Sequence, residues 1–234
     1  MTETMNFHKT DSEFMERWEA FAYNEVVNEP GQTLDETTRY LAVLAALIGS
    51  QSVDAYRYYL PKAVESALTP AMVKEVVYQA VDYLGFGRVF PFFAATSEVF
   101  EENRIPNPDE NRGTTTMEDR LKKGAAAQAE IFGPQMLEAW KAGHINRWLA
   151  SNCFGDIYTR KGLDLKQREL ITFCFLAAQG GCEPQLTSHA IGNMNLGNDK
   201  EFLVRVVSQI LPYIGYPRSL NANRCIENAA TQMA

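Results

Sequence analysis

Long apolar runs, convincing strand-like alternation, paired cysteines and an excess of basic charge are all missing from this 234-residue sequence. The longest apolar run, Leu41 to Ile48, is far short of the roughly 20 residues that span a bilayer, so no membrane is expected as a partner. Lys and Arg number 22 against 29 Asp and Glu, giving a formal net charge of -7. That balance argues against nucleic acid as a partner. The four cysteines, Cys153, Cys174, Cys182 and Cys225, include no Cys-x-x-Cys pair and no zinc-type grouping. Such usage fits free thiols in a reducing cytosol better than a disulfide framework. Met1 to Thr10 is polar and lacks the apolar stretch of a signal peptide, so a soluble, cytoplasmic protein is expected. No phosphate-cradling glycine loop, Ser–His–Asp set or metal motif occurs, and no cofactor is expected.

What the sequence does contain is a repeat. Residues 76–88 return as residues 206–218, with Val76/Val206, Val77/Val207, Gln79/Gln209, Tyr83/Tyr213, Gly85/Gly215 and Arg88/Arg218 at matching places. Helical periodicity dominates, and the fold class is all-α. A first helix runs from Asp11-Ser12 to about Val27, a second from Asp35 or Glu36 to Ile48, and a third over Val53 to Ala67. Thr69-Pro70 caps a fourth to about Leu84, and a fifth follows Gly87 to Asn103. Met117 to Phe132 and Pro134 to Ala142 also read as helical. Leu165 to Gln179, Cys182 to Leu196, Asp199 to Tyr213 and Pro217 to Ala230 then repeat the second to fifth helices. The expected division is an N-terminal repeat at 1–103, a linker at 104–116 and a C-terminal repeat at 117–234. The apolar faces are too broad for one helical hairpin to bury, which points to packing between units and to a homo-oligomer.

Chemistry-bearing residues are confined to the second copy. Cys182 follows Gly180-Gly181 at a helix start, where the helix dipole favours a thiolate. Gln185 and His189 lie three and seven residues further on, so thiol, amide and imidazole are expected on one face of one groove. The first copy has Ser52, Ala55 and Tyr59 there, so the scaffold alone does not require them. Arg168-Glu169 opens the preceding helix; it reads either as an ion pair or as a proton partner, Glu169, beside Cys182 and His189. Tyr83, Gly85, Tyr213 and Gly215 recur and read as scaffold, Arg88 and Arg218 as surface residues or carboxylate binders, and His8 and His144 as surface residues.

These features resemble the carboxymuconolactone decarboxylase superfamily, which includes the AhpD-like alkylhydroperoxidases. Gly162-Leu163-Asp164, Arg168-Glu169-Leu170, Cys182 to His189, Gly197 and Tyr213 to Pro217 follow its pattern in order, and Phe154 to Arg160 looks like the segment that precedes the domain in decarboxylase-type members. Residues 34–103 look like a degenerate first copy, making a tandem-domain member. The resemblance implies an all-α fold and a ring-like assembly, here a trimer of tandem chains. The peroxidase motif Cys-x-x-Cys-x-x-x-His becomes Cys182-x-x-Gln185-x-x-x-His189, so an intramolecular dithiol cycle is unavailable. Decarboxylase-type chemistry on a small carboxylate substrate, a carboxylated lactone, would then use His189 as general acid or oxyanion donor and Glu169 as its proton partner. Arg168 or Arg218 would bind the carboxylate, with Cys182 and Gln185 lining the pocket. A single-cysteine peroxidase at Cys182 and a non-catalytic ligand-binding or assembly protein are the alternatives.

Overall fold

The computed structural model describes residues 7–108 and 111–233, and among these every regular element is helical. Helix α1 (Ser12–Ala20) widens into a π-helical turn at Phe21–Glu25 and ends as Val26–Asn28. Helix α2 (Glu36–Gly49) starts where Asp35 Oδ1 accepts from the Thr38 amide at 2.9 Å. Helices α3 (Val53–Ser66), α4 (Pro70–Leu84) and α5 (Phe86–Glu102) complete the first half. Thr69 and Pro70 open α4 as expected, the Thr69 hydroxyl accepting from Met72 N at 3.2 Å. Helix α6 (Arg120–Phe132) leads to α7 (His144–Trp148), which runs on as a π-helical segment, Leu149–Tyr158. Helices α8 (Leu165–Gln179), α9 (Glu183–Asn195), α10 (Lys200–Ile214) and α11 (Tyr216–Met233) close the chain.

Helices α8 to α11 repeat α2 to α5 at the 130-residue spacing read from one segment of sequence. Leu84 and Ile214 end α4 and α10, and Gly85 and Gly215 stop them with φ of 83° and 78°. The repeat reaches further back than expected, into the leading helix. Trp18 and Trp148 stand 130 residues apart, and both copies carry a π-helical stretch just after them. Two sequence expectations are corrected. Helix α6 begins at Arg120 rather than Met117, after a turn, and Pro134 to Ala142 forms two short 3-10 turns, Pro134–Leu137 and Ala139–Ala142. Pro134, starting right after Gly133 at φ 101°, and Gly143 at φ 156° punctuate that stretch too closely for an α-helix.

The two copies share one core. Every residue of Leu41 to Gly49 on α2 and of Arg168 to Ala178 on α8 is buried, so these two helices form the centre and the others wrap them. The recurring glutamines tie each copy to the other half. Gln79 Nε2 on α4 donates to Arg168 O and Thr172 Oγ1, both at 2.8 Å. Gln209 Nε2 on α10 donates to Val26 O at 2.9 Å and Gln32 O at 3.0 Å. A buried amide left unmet would cost about 1–3 kcal/mol, so these contacts fix the register of one copy against the other. The segment around 104–116 is pinned as well, since Lys161 N donates to Arg112 O at 3.0 Å and Thr114 bonds Thr159 Oγ1 at 2.6 Å. No helix among the described residues is long and apolar enough to cross a membrane.

Where α6 crosses the π-helical segment, backbones meet through glycine. A Cβ on Gly155 would stand 2.3 Å from Arg120 O, and one on Gly124 would stand 1.7 Å from Ala150 O. Gly155→Ala is therefore expected to destabilise the protein by about 2–4 kcal/mol in urea unfolding, because backbone must move to admit the methyl. Gly87→Ala, whose Cβ meets nothing within 4 Å, should be neutral or slightly stabilising. Equal effects of the two substitutions would refute the close-packed crossing.

Candidate active site

Helix α8 carries two successive charges, Arg168 and Glu169, both with 0 % exposure. Isolated charges at such depth are unfavourable by several kcal/mol, so each must be answered. Arg168 is answered by the first copy. Its Nη2 donates to Glu75 Oε2 at 3.0 Å and to Arg160 O at 2.8 Å, and its Nη1 donates to Gln79 Oε1 at 2.8 Å. Glu75 also accepts from Arg160 and Arg112. The expectation that Arg168 receives a substrate carboxylate is corrected on this geometry, since its guanidinium is enclosed by protein acceptors.

Glu169 is answered from the opposite side. Its Oε1 accepts from the Tyr158 hydroxyl at 2.7 Å, and its Oε2 pairs with His189 Nδ1 at 2.8 Å. The Tyr158 oxygen is in turn 2.7 Å from Tyr83 Oη and 2.9 Å from Thr172 Oγ1. Burial pushes the Tyr83 and Tyr158 phenols well above their ordinary range, so both stay neutral donors. The His189 ring lies edge-on to Tyr83 at 5.3 Å and to Phe132 at 5.5 Å, which fixes its plane. Asn193, one turn on, donates to both Glu169 O and His189 O and bolts α9 to α8. A Cβ on Gly192 would lie 2.6 Å from Glu169 Oε2, so glycine is needed for the carboxylate to sit there.

The single groove expected for Cys182, Gln185 and His189 resolves into two ends. Two helical turns, about 10 Å, separate Cys182 from His189, and each has its own partners. Cys182 Sγ donates to Leu176 O at 3.6 Å and accepts from Gln179 Nε2 at 3.5 Å. Arg88 holds the same Gln179 by its oxygen at 2.8 Å. Arg218 packs against Gly180 close by, with Nη1 buried and lacking a hydrogen-bond partner. Burial pushes the Cys182 thiol up, outweighing the opposite influence of Gln179 and Arg218. That direction is opposite to the one expected from the helix start, and its largest cause is desolvation. Gln185 is exposed between the two ends. Glu169 stands beside His189, not beside Cys182. His8 and His144 are exposed.

Tyr83, expected to be scaffold, proves to touch the site, and it comes from the first copy. No spacing in the sequence marks Tyr158 or Phe132; Tyr158 lies within the 154–160 segment, whose sequence signal is a resemblance. The half-repeat without the site is equally informative. Tyr59 stands in place of His189, Arg39 of Glu169, Tyr213 of Tyr83 and Tyr23 of Cys153. There the Tyr23 and Tyr59 hydroxyls bond each other, and Tyr59 meets Tyr213 edge-on at 5.2 Å. Aromatic packing replaces the carboxylate–imidazole pair. Among the described residues no group of three His, Cys, Asp or Glu side chains is placed to hold a metal.

Fold and site together define an all-α tandem-repeat protein with a buried Glu–His–Tyr constellation in one of its two equivalent positions. The family model for the carboxymuconolactone decarboxylase family matches residues 12–98 and again 144–228. The chain belongs to that family, and it carries two copies of the family's domain. A comparison with curated proteins finds no match.

Asp82 adjoins this constellation through Tyr83. Its Oδ1 accepts from Asn152 Nδ2 at 3.0 Å, and the Cys153 thiol is its other side-chain partner. Burial pushes its carboxyl up to about 6. A carboxyl harder to ionise in the folded chain than in the unfolded one stabilises the fold below about pH 4, and that contribution fades as pH rises through about 6. Asp82→Asn, which cannot ionise, is expected to raise the melting temperature at pH 8 and leave it nearly unchanged at pH 4. The same shift at both pH values in thermal scans would contradict the assignment.

Proposed function

We propose that the protein is an acid/base enzyme of the decarboxylase type, acting on a small carboxylated lactone or a related enol-forming acid. The observation that carries this reading is the fully buried Glu169 carboxylate, bonded to His189 Nδ1 at 2.8 Å and to Tyr158 at 2.7 Å. A carboxylate on Nδ1 fixes the orientation of the ring, which leaves Nε2 to act on a substrate. Loss of CO₂ from such an acid sends an electron pair into a conjugated carbonyl. The resulting dienolate is then protonated on carbon. His189 is assigned as the proton donor or the donor to the oxyanion, and Glu169 as its partner. Tyr158 and Tyr83 hold Glu169 in place.

With Arg168 enclosed by Glu75 and Gln79, the substrate carboxylate is assigned to Arg218, whose buried Nη1 lacks a partner. Cys182 and Gln185 line the stretch between Arg218 and His189. Assembly belongs to the same proposal. Phe86 and Phe90 of the first copy are exposed, and so are Tyr216 and Leu220 at the same two positions of the second. Paired apolar patches of this kind suit a ring in which unlike copies of neighbouring chains meet, as in a trimer of tandem chains. Free cysteines at Cys153, Cys174, Cys182 and Cys225 suit a reducing cytosol.

Turnover of carboxylated muconolactones, followed as CO₂ release, tests the reaction. His189→Ala is expected to lower kcat by about 10²–10⁴-fold. Cys182→Ser should keep most of the activity, which separates this chemistry from a thiol-dependent peroxidase. Wild-type protein that releases no CO₂ from any such lactone would defeat the proposal, as would a Cys182→Ser variant as inactive as His189→Ala.

A further inference from the structure

A cavity of about 470 Å³ opens beside Tyr83, between the end of α4 and the α7 segment. Asp82 and Cys153 contribute to its polar side, and Ile145, Trp148 and Leu149 form an apolar wall. The first half of the molecule shows what the fold does with the equivalent place. Tyr23 stands where Cys153 stands, Pro212 where Asp82 stands, and Trp18 where Trp148 stands. The Trp18 ring packs edge-on to Tyr23 at 5.6 Å and to Tyr213 at 6.2 Å, so that place is filled by aromatic rings. Packing alone therefore requires neither the small Cys153 nor the carboxylate at 82.

The charges in the cavity indicate what it accepts. Arg120 reaches the lining but is committed to an ion pair with Asp156. Asp82 has only neutral partners, the Asn152 amide and the Cys153 thiol, and no cation beside it. One carboxyl is left without a countercharge, and the adjacent Trp148 is 57 % exposed. Carboxylate and indole face together recognise an organic cation, the first by charge and the second through its quadrupole.

We propose that this cavity is a second binding site, taking an organic ammonium whose flat apolar body lies on Trp148 and Leu149 and whose head group meets Asp82. It is distinct from the positions of Arg218 and His189, to which the opposite charge of ligand is assigned, and it does not depend on the reaction proposed there. Cys153 Sγ lies 3.8 Å from Tyr83 Oη, so an occupant sits one side chain from the Tyr83–Tyr158–Glu169 chain.

Titration calorimetry with 2-phenylethylamine, 2-phenylethanol and phenylacetate tests the proposal on the wild-type protein. The amine is expected to bind about tenfold or more tightly than either analogue, a difference of about 1.4 kcal/mol. Asp82→Asn should abolish that preference. Cys153→Tyr, which installs the first copy's residue, should remove amine binding. Trp148→Ala, a change at the exposed rim, should weaken it about fivefold or more and serves if Cys153→Tyr fails to fold. No saturable amine binding, equal binding of amine and phenylacetate or phenylethanol, or amine binding unchanged in Asp82→Asn would each overturn the site.

Discussion

The ion pair between Arg168 and Glu75 is the constraint on which the site depends. Both groups have 0 % side-chain exposure, and they come from different copies of the repeat. Attraction in a poorly polarisable interior offsets desolvation only when the remaining donors and acceptors are also met, and here Gln79, Arg160 and Arg112 meet most of them. The pair therefore works as a key between α4 and α8 rather than as a general source of stability. With Arg168 turned towards Glu75, its neighbour Glu169, about 100° further round α8, faces Tyr158 and His189. One helix thus carries the fastening of the two copies and the carboxylate of the site on adjacent residues.

Duplication then explains why only one of the two equivalent positions is polar. Equivalent positions in the two halves hold a residue of α3 or α9, one of α2 or α8, and a tyrosine from the opposite half. In the second half these are His189, Glu169 and Tyr83. In the first they are Tyr59, Arg39 and Tyr213, closed over by Tyr23 and by Trp18. A shared core needs both halves to be well packed, but it does not need both to be polar. The aromatic half fills its space, whereas the polar half keeps a buried acid–base pair and a cavity beside it.

Much of this was legible in the sequence, for identifiable reasons. Recurrence of Gln79/Gln209 and Gly85/Gly215 at one spacing located the helices that carry the site, because each residue does a job in the backbone that few others can do. The uniqueness of His189 to the second copy marked it as something beyond scaffold. Spacing along one helix gave no such help across helices. Cys182, Gln185 and His189 share a helical face, yet the neighbours that decide their chemistry lie on α8, α4 and α11. Arg168 and Glu169 are consecutive, and only the packing of α8 between two partners shows that they point to opposite duties. Tyr83 recurs as Tyr213 and so looked like scaffold, although recurrence and a role in the site are compatible when each copy lends its tyrosine to the other.

A double-mutant cycle on Glu75 and Arg168, read by urea unfolding, measures the fastening most directly. Glu75→Gln leaves Arg168 without a carboxylate in the interior and is expected to destabilise the protein by about 3–5 kcal/mol, whereas Arg168→Met leaves Glu75 paired with Arg160 and Arg112 and should cost less. The double variant should lose well under the sum of the two, since the fully buried Arg168 charge is then gone together with its carboxylate. Additive losses, or single losses near zero, would show that the copies are held together by apolar packing alone and that the Arg168–Glu75 key does not set the position of Glu169.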